Sequence, residues 1–172
     1  KESLAEDVVR ILCEELQELI EAGVAFVQFD EPVLTELVFT QKNANRTFMC
    51  GALTAKKNAE EELQFAVGLI NRIMNGLEKK ETRIGVHICR GNWSTQENVL
   101  LKGPYDPLMP YLDQMKVDQL ILEYATPRAG ELDTISGLKG KELGLGVVNP
   151  RTEEVEEVSQ IVKRAKKAAE LL

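Results

Sequence analysis

The sequence predicts an α/β protein built on a parallel β-sheet, an arc of about half a TIM (β/α)8 barrel. Three observations predict it. Short apolar runs of strand length alternate with longer stretches whose apolar residues recur at helical spacing. The short runs are apolar almost throughout, as strands covered on both faces of a parallel sheet are. Each run also ends in polar or ionisable residues, and in barrel and open α/β folds the carboxyl ends of the strands carry the chemistry. Four such runs are too few to close a barrel, hence an arc.

Taken in order, Ser3-Leu4-Ala5-Glu6 has the spacing of a capping box, and Val8, Val9, Leu12, Leu16, Leu19 and Ile20 then mark a helix that Gly23 closes. Cys13, beside that stripe, reads as a packed thiol. Val24–Phe29 is a compact strand stopped by Asp30-Glu31-Pro32, since proline brings no N–H to a ladder. Glu36–Thr54 is polar with scattered hydrophobes and reads as an extended loop with a short strand around Phe48-Met49-Cys50. Nothing near Cys50 marks it as a ligand or nucleophile. From Asn58 a second long helix shows Leu63, Ala66, Val67, Ile70, Ile73, Met74 and Leu77 on one face. Arg83–Val86 is an apolar strand running into His87 and Cys89, and Gly91-Asn92 is the turn after it.

Ser94–Pro110 reads as a loop, followed by a short helix near Tyr111–Met115. Gln119–Glu123 is the third strand, ending on a carboxylate. Thr126–Gly140 is a long loop with one helical turn, and Leu143–Val148 is the fourth strand, stopped by Asn149-Pro150. Thr152 is placed to cap a last helix whose inner face is Val155, Val158, Ile161, Val162, Ala165, Ala169 and Leu172.

The 172 residues suffice for one domain with a substantial core. A formal net charge of −7 argues against a nucleic-acid backbone as partner. The one basic cluster, Lys163-Arg164 with Lys166-Lys167, reads as cations complementing a helix C-terminus. No apolar run approaches the roughly 18–20 residues of a membrane span, and no signal peptide is visible. Three unevenly spaced cysteines make no disulfide framework, so a reducing cytoplasm is expected. The chain opens on Lys1 directly before a helix signal, which predicts a piece of something longer: residues 1–172 as a single partial catalytic domain.

His87 is the only histidine in the sequence, and Cys89 follows it by two. Residues i and i+2 of a strand share a face, so an imidazole and a thiolate would project together, a pair suited to zinc. Taken alone, His-x-Cys more often marks a buried histidine beside a cysteine used as a small hydrophobe. Other motifs fail outright. Gly144-Leu145-Gly146 lacks the third glycine of a dinucleotide fingerprint, with Asn149 in its place. Gly140-Lys141-Glu142 has neither the hydroxyl residue nor the spacing of a phosphate loop. One histidine and no G-x-S-x-G leave a hydrolase triad unsupported.

Four stretches then change the odds: VQFDEPVL at Val27–Leu34, HICRGN at His87–Asn92, LEYATPRAGELDT at Leu122–Thr134 and LGLGVVNPRTEEVEEV at Leu143–Val158. Together, and in this order, they resemble the C-terminal catalytic barrel of the cobalamin-independent methionine synthase family, in its shorter archaeal and bacterial branch. The resemblance implies a 5-methyltetrahydropteroyltriglutamate–homocysteine S-methyltransferase. Such an enzyme moves a methyl group from N5-methyl-tetrahydrofolate, or from a methylcorrinoid, to the thiol of homocysteine, giving methionine. It implies zinc as cofactor, with His87, Cys89 and Glu123 matching three family ligands, and Asp30 matching the acidic residue that contacts the amino group of homocysteine. The family's fourth ligand, a cysteine in a motif of the type N-P-D-C-G, is expected beyond Leu172, so these residues alone are expected to be inactive. No catalytic residue is assigned, because Arg151 stands where the long enzymes carry a histidine associated with proton handling. Expected partners are the small-molecule substrates, with no nucleic acid and no membrane, and self-association through open sheet edges. Two alternatives stay open: a corrinoid-dependent thiol methyltransferase serving coenzyme M, and a non-catalytic barrel fragment or interaction module.

Overall fold

The computed structural model describes residues 2–39, 58–90 and 101–172. Within them, β1 (Phe26–Glu31), β2 (Arg83–Ile88), β3 (Gln119–Glu123) and β4 (Glu142–Gly146) form one parallel sheet in sequential order. The helices are α1 (Glu2–Glu21), α2 (Val33–Phe39), α3 (Ala59–Asn75), α4 (Met109–Gln114) and α5 (Val158–Leu171). Two short 3₁₀ segments, Pro127–Ala129 and Leu132–Gly137, lie between β3 and β4. Parallel strands in sequential order with helical crossovers are the pattern of consecutive barrel strands, here an open arc.

Local chemistry sets the helix ends. Gly23, at φ 80°, lets α1 finish in a Schellman motif: its N–H donates to Ile20 O (3.0 Å) and that of Val24 to Leu19 O (3.1 Å). Asn58 caps α3 by accepting from the Glu60 N–H at 3.1 Å, and Glu60, Glu61 and Glu62 place negative charge at the positive end of the helix. α3 then packs Leu63, Val67 and Ile70 into one core with Val86 and Ile88 of β2 and Leu120 and Leu122 of β3.

Alternation sends the neighbours of those strand residues to the opposite face, the interior side of the arc. There the backbone is bare at Gly85 and Gly144, and Phe26 and Ile121 fill the space above. A Cβ at Gly85 would lie 2.7 Å from the Phe26 ring and 2.9 Å from Ile121, and one at Gly144 2.8 Å from Ile121. The amino ends of the strands are tied by Asp118, which accepts from the Ile84 N–H at 2.8 Å and pairs with Lys79. Arg83 bridges to Glu142 at 2.5 Å. Burial alone would raise the Asp118 carboxyl, but the Lys79 hydrogen bond, the Ile84 N–H and the charges of Lys79 and Arg83 hold it below the ordinary carboxylate range.

Several expectations need correcting. α1 is already helical at Glu2, so Ser3–Glu6 lies within its first turns rather than capping it. Its buried residues are Ala5, Leu16 and Ile20, while Val8 and Leu19 are exposed. β1 starts and ends two residues later than Val24–Phe29, because Val24 completes the helix stop and Asp30 and Glu31 stay in the ladder. As an edge strand it is also open on its inner face rather than covered on both. Val33–Phe39 is helix, where Glu36 was expected to begin a loop; the strand expected around Phe48-Met49-Cys50 and the turn at Gly91-Asn92 lie outside the described residues. Thr152 does not cap α5: its hydroxyl accepts locally from the Glu154 N–H (3.1 Å), and the helix begins at Val158. The face α5 presents inward carries Ala168 and Leu171, leaving Val158 and Val162 exposed, and Val155 lies before the helix.

Candidate functional site

The adjacent carboxylates Asp30 and Glu31 divide by strand alternation. Glu31 turns toward the helices and accepts the N–H groups of Val33 (2.6 Å) and Leu34 (3.2 Å), capping α2. Burial pushes its carboxyl above the ordinary value, and the two N–H donors offset only part of that. Asp30 turns to the interior face, its side chain 71% exposed. There it meets His87, its register partner on β2: Asp30 Oδ1 lies 3.0 Å from His87 Nδ1 and also accepts from Gln28 Nε2 at 2.9 Å.

Cys89 extends the β1–β2 ladder by one bond, its N–H donating to Glu31 O at 3.1 Å, while its carbonyl accepts from the buried Thr35 hydroxyl at 2.6 Å. The β2–β3 ladder ends at Ile88 and Leu122, and Cys89 and Glu123 are the residues that follow them. All four sequence-predicted residues, Asp30, His87, Cys89 and Glu123, therefore lie at the carboxyl ends of neighbouring strands.

The side chains converge less than the backbones. Glu123 accepts from the N–H (3.0 Å) and hydroxyl (3.4 Å) of Thr126, and its other oxygen pairs with Arg128 at 3.2 Å. Among the described residues no three His, Cys, Asp or Glu side chains form a metal-sized cluster. Donor chemistry nevertheless suits a borderline-soft cation such as zinc: an imidazole with one nitrogen already engaged, a thiol two residues on, and a carboxylate one strand away.

Three residues that sequence reasoning passed over hold this edge together. Arg90, 1% exposed, lies over the rings of Tyr105 (4.6 Å) and Phe39 (5.1 Å) and donates to the carbonyls of Gly103 (2.5 Å) and Arg128 (3.1 Å). Burial lowers its pKa, with Tyr105 and Glu123 acting in the other direction. Tyr105 accepts the Glu123 N–H at 3.1 Å, and burial drives its own hydroxyl upward. Arg128 completes the set through its pair with Glu123. One signal was available: alternation sends Arg90 to the side away from Cys89, into the core, where a guanidinium needs partners.

The fold and the edge define the class, a parallel α/β domain of barrel type with imidazole, thiol and carboxylate groups at the carboxyl ends of its strands. The family model described as "Cobalamin-independent synthase, Catalytic domain" matches residues 1–172, and the chain belongs to that family. It is 34% identical over 167 residues to a protein from Pyrococcus furiosus named methionine synthase, covering 95% of this chain and 38% of that protein. Proteins of the same name from Pyrococcus abyssi and Sulfurisphaera tokodaii are 32% and 27% identical, over 96% and 95% of this chain and 39% and 38% of theirs. The chain thus spans about two fifths of the length of these relatives.

Proposed function

We propose that the carboxyl edge of this sheet is part of the active site of a zinc-dependent methyltransferase that methylates the thiol of homocysteine to give methionine. The methyl donor is N5-methyl-tetrahydrofolate or a methylcorrinoid. The observation that supports the reading is the position of His87 near the end of β2, Cys89 just after it and Glu123 at the end of the adjacent β3, in a chain belonging to this family. His87, Cys89 and Glu123 would hold the metal. Bound there, zinc would supply an ionised substrate sulfur near neutral pH, where a free thiol is mostly protonated and a poor nucleophile.

The chain's own residues do the rest. Asp30 Oδ1 takes both local donors, so among the described residues Oδ2 remains for the substrate ammonium. A charge-assisted hydrogen bond of that kind contributes about 1.5–3 kcal/mol. It fixes the amino-acid end of the substrate, so that its sulfur meets the donor methyl in line. Arg128 and Thr126 restrain Glu123. The reading includes a cytoplasmic setting, and no helix among the described residues is long and apolar enough to cross a membrane. It also includes self-association through the edge strands β1 and β4, whose outer sides pair with no other strand among the described residues.

The test supplies homocysteine with methyl-tetrahydrofolate and, separately, with methylcobalamin to a protein carrying these residues. Methionine formed from one donor and lost in Cys89→Ser is expected. Absence of methionine with either donor, at full zinc occupancy, overturns the proposal.

A further inference from the structure

We propose that Asp30 is a positioning residue that fixes the tautomer of His87, making Nε2 the nitrogen that faces a metal. The inference rests on the metal reading above but stands on its own geometry. Asp30 and His87 are register partners on neighbouring strands, so a short carboxylate reaches the ring nitrogen nearer the backbone, Nδ1, at 3.0 Å. An ionised carboxylate only accepts, so Nδ1 carries the proton and the lone pair lies on Nε2 across the ring. Gln28, two residues before Asp30 on the same face, donates to the same Oδ1 at 2.9 Å and steadies the carboxylate. Metal-binding histidines are oriented in this way, by a carboxylate on the nitrogen that does not coordinate.

The pairing also connects two roles. One oxygen of Asp30 serves the imidazole and, among the described residues, the other is left for a cationic ligand, so the residue proposed to receive a substrate ammonium would also orient a metal ligand. The pairing could not be read from the order of residues, because Asp30 and His87 are 57 positions apart and meet only through the β1–β2 register.

His87 is the only histidine in the chain, so one long-range ¹H–¹⁵N spectrum of the ¹⁵N-labelled 172-residue chain, in mildly alkaline buffer without metal, reads its tautomer with no assignment needed. The wild type should show Nδ1–H. Asp30→Ala should revert toward Nε2–H, the form a free histidine side chain prefers, and, in a longer protein carrying these residues, lower zinc affinity about 10–100-fold in competition with a chelator. Because Asp30 is largely exposed, the variant is expected to fold, and far-UV circular dichroism checks that. Nε2–H in the wild type, or Nδ1–H persisting in Asp30→Ala, overturns the proposal. A tautomer that switches while zinc affinity stays within twofold overturns the positioning role. If the tautomer switches but neither the longer protein nor its Asp30→Ala variant binds zinc, the metal reading fails and with it the positioning role, leaving only the hydrogen bond.

Discussion

Arg128 holds the carboxylate of Glu123 at 3.2 Å, with the two side chains only 6% and 12% exposed. Removing one member of a buried pair leaves an uncompensated charge, whereas replacing both with apolar groups need not be costly. Arg128→Met should therefore destabilise the metal-free protein by about 3 kcal/mol, and Glu123→Leu added to it should restore most of the loss. Urea unfolding of both variants in the presence of a chelator measures this. A single-variant cost below about 1 kcal/mol would show that Arg128 does not hold Glu123.

Arg90 should be harder to replace. Its flat guanidinium lies over Tyr105 while donating to two carbonyls, a combination an ammonium on a flexible stem cannot reproduce. We expect Arg90→Lys to lose at least about 2 kcal/mol, most of what Arg90→Met loses. Near-wild-type stability in Arg90→Lys would mean that charge alone suffices there.

Much of the architecture was legible and part of the edge was not. Gln119–Glu123 is the observed β3, because its apolar run has polar residues at both ends. α3 follows its stripe, because Asn58 and the glutamates after it mark where it starts. The missed helix α2 has only seven residues, too few for a period to show, and its cap, Glu31, lies on the previous strand. α5 is turned from its expected face by tertiary contacts: Arg164 donates to Val147 O at 3.1 Å, and the small Ala168 is what is buried. At the site, position along each strand could be read from sequence, but side-chain partnership could not. The Asp30–His87 pair depends on register, and Glu123 is drawn to its own following loop, five residues on.

Asp118 makes stability depend on pH at the amino ends of the strands. Its folded carboxyl titrates below the unfolded value of about 3.9, so its contribution is complete above that value and is lost as pH falls through the folded one. Asp118→Asn should be less stable than wild type at pH 7, and the gap should narrow as pH falls below about 4. Unfolding by urea from neutral to acid pH measures the gap, and one that stays constant would contradict the assignment.

Gly130 adopts φ 85°, and a Cβ there would lie 2.7 Å from Pro104 Cβ and 2.9 Å from its Cα. Gly130→Ala should cost about 1–3 kcal/mol and loosen the turn that carries Thr126 and Arg128. Thermal unfolding gives the cost, and hydrogen exchange at residues 126–130 reports the loosening. Unchanged values in both would show that the turn tolerates a side chain.

The central claim is that the carboxyl ends of β2 and β3 hold a metal that activates a thiol. The most direct measurement is the zinc content of a protein carrying these residues, beside His87→Ala, Cys89→Ser and Glu123→Ala, after dialysis against a weak chelator. The account predicts about one zinc per chain in the wild type and loss in the His87 and Cys89 variants, with Glu123→Ala weakened. Wild-type protein that retains no zinc, or zinc retained equally in His87→Ala and Cys89→Ser, would contradict it.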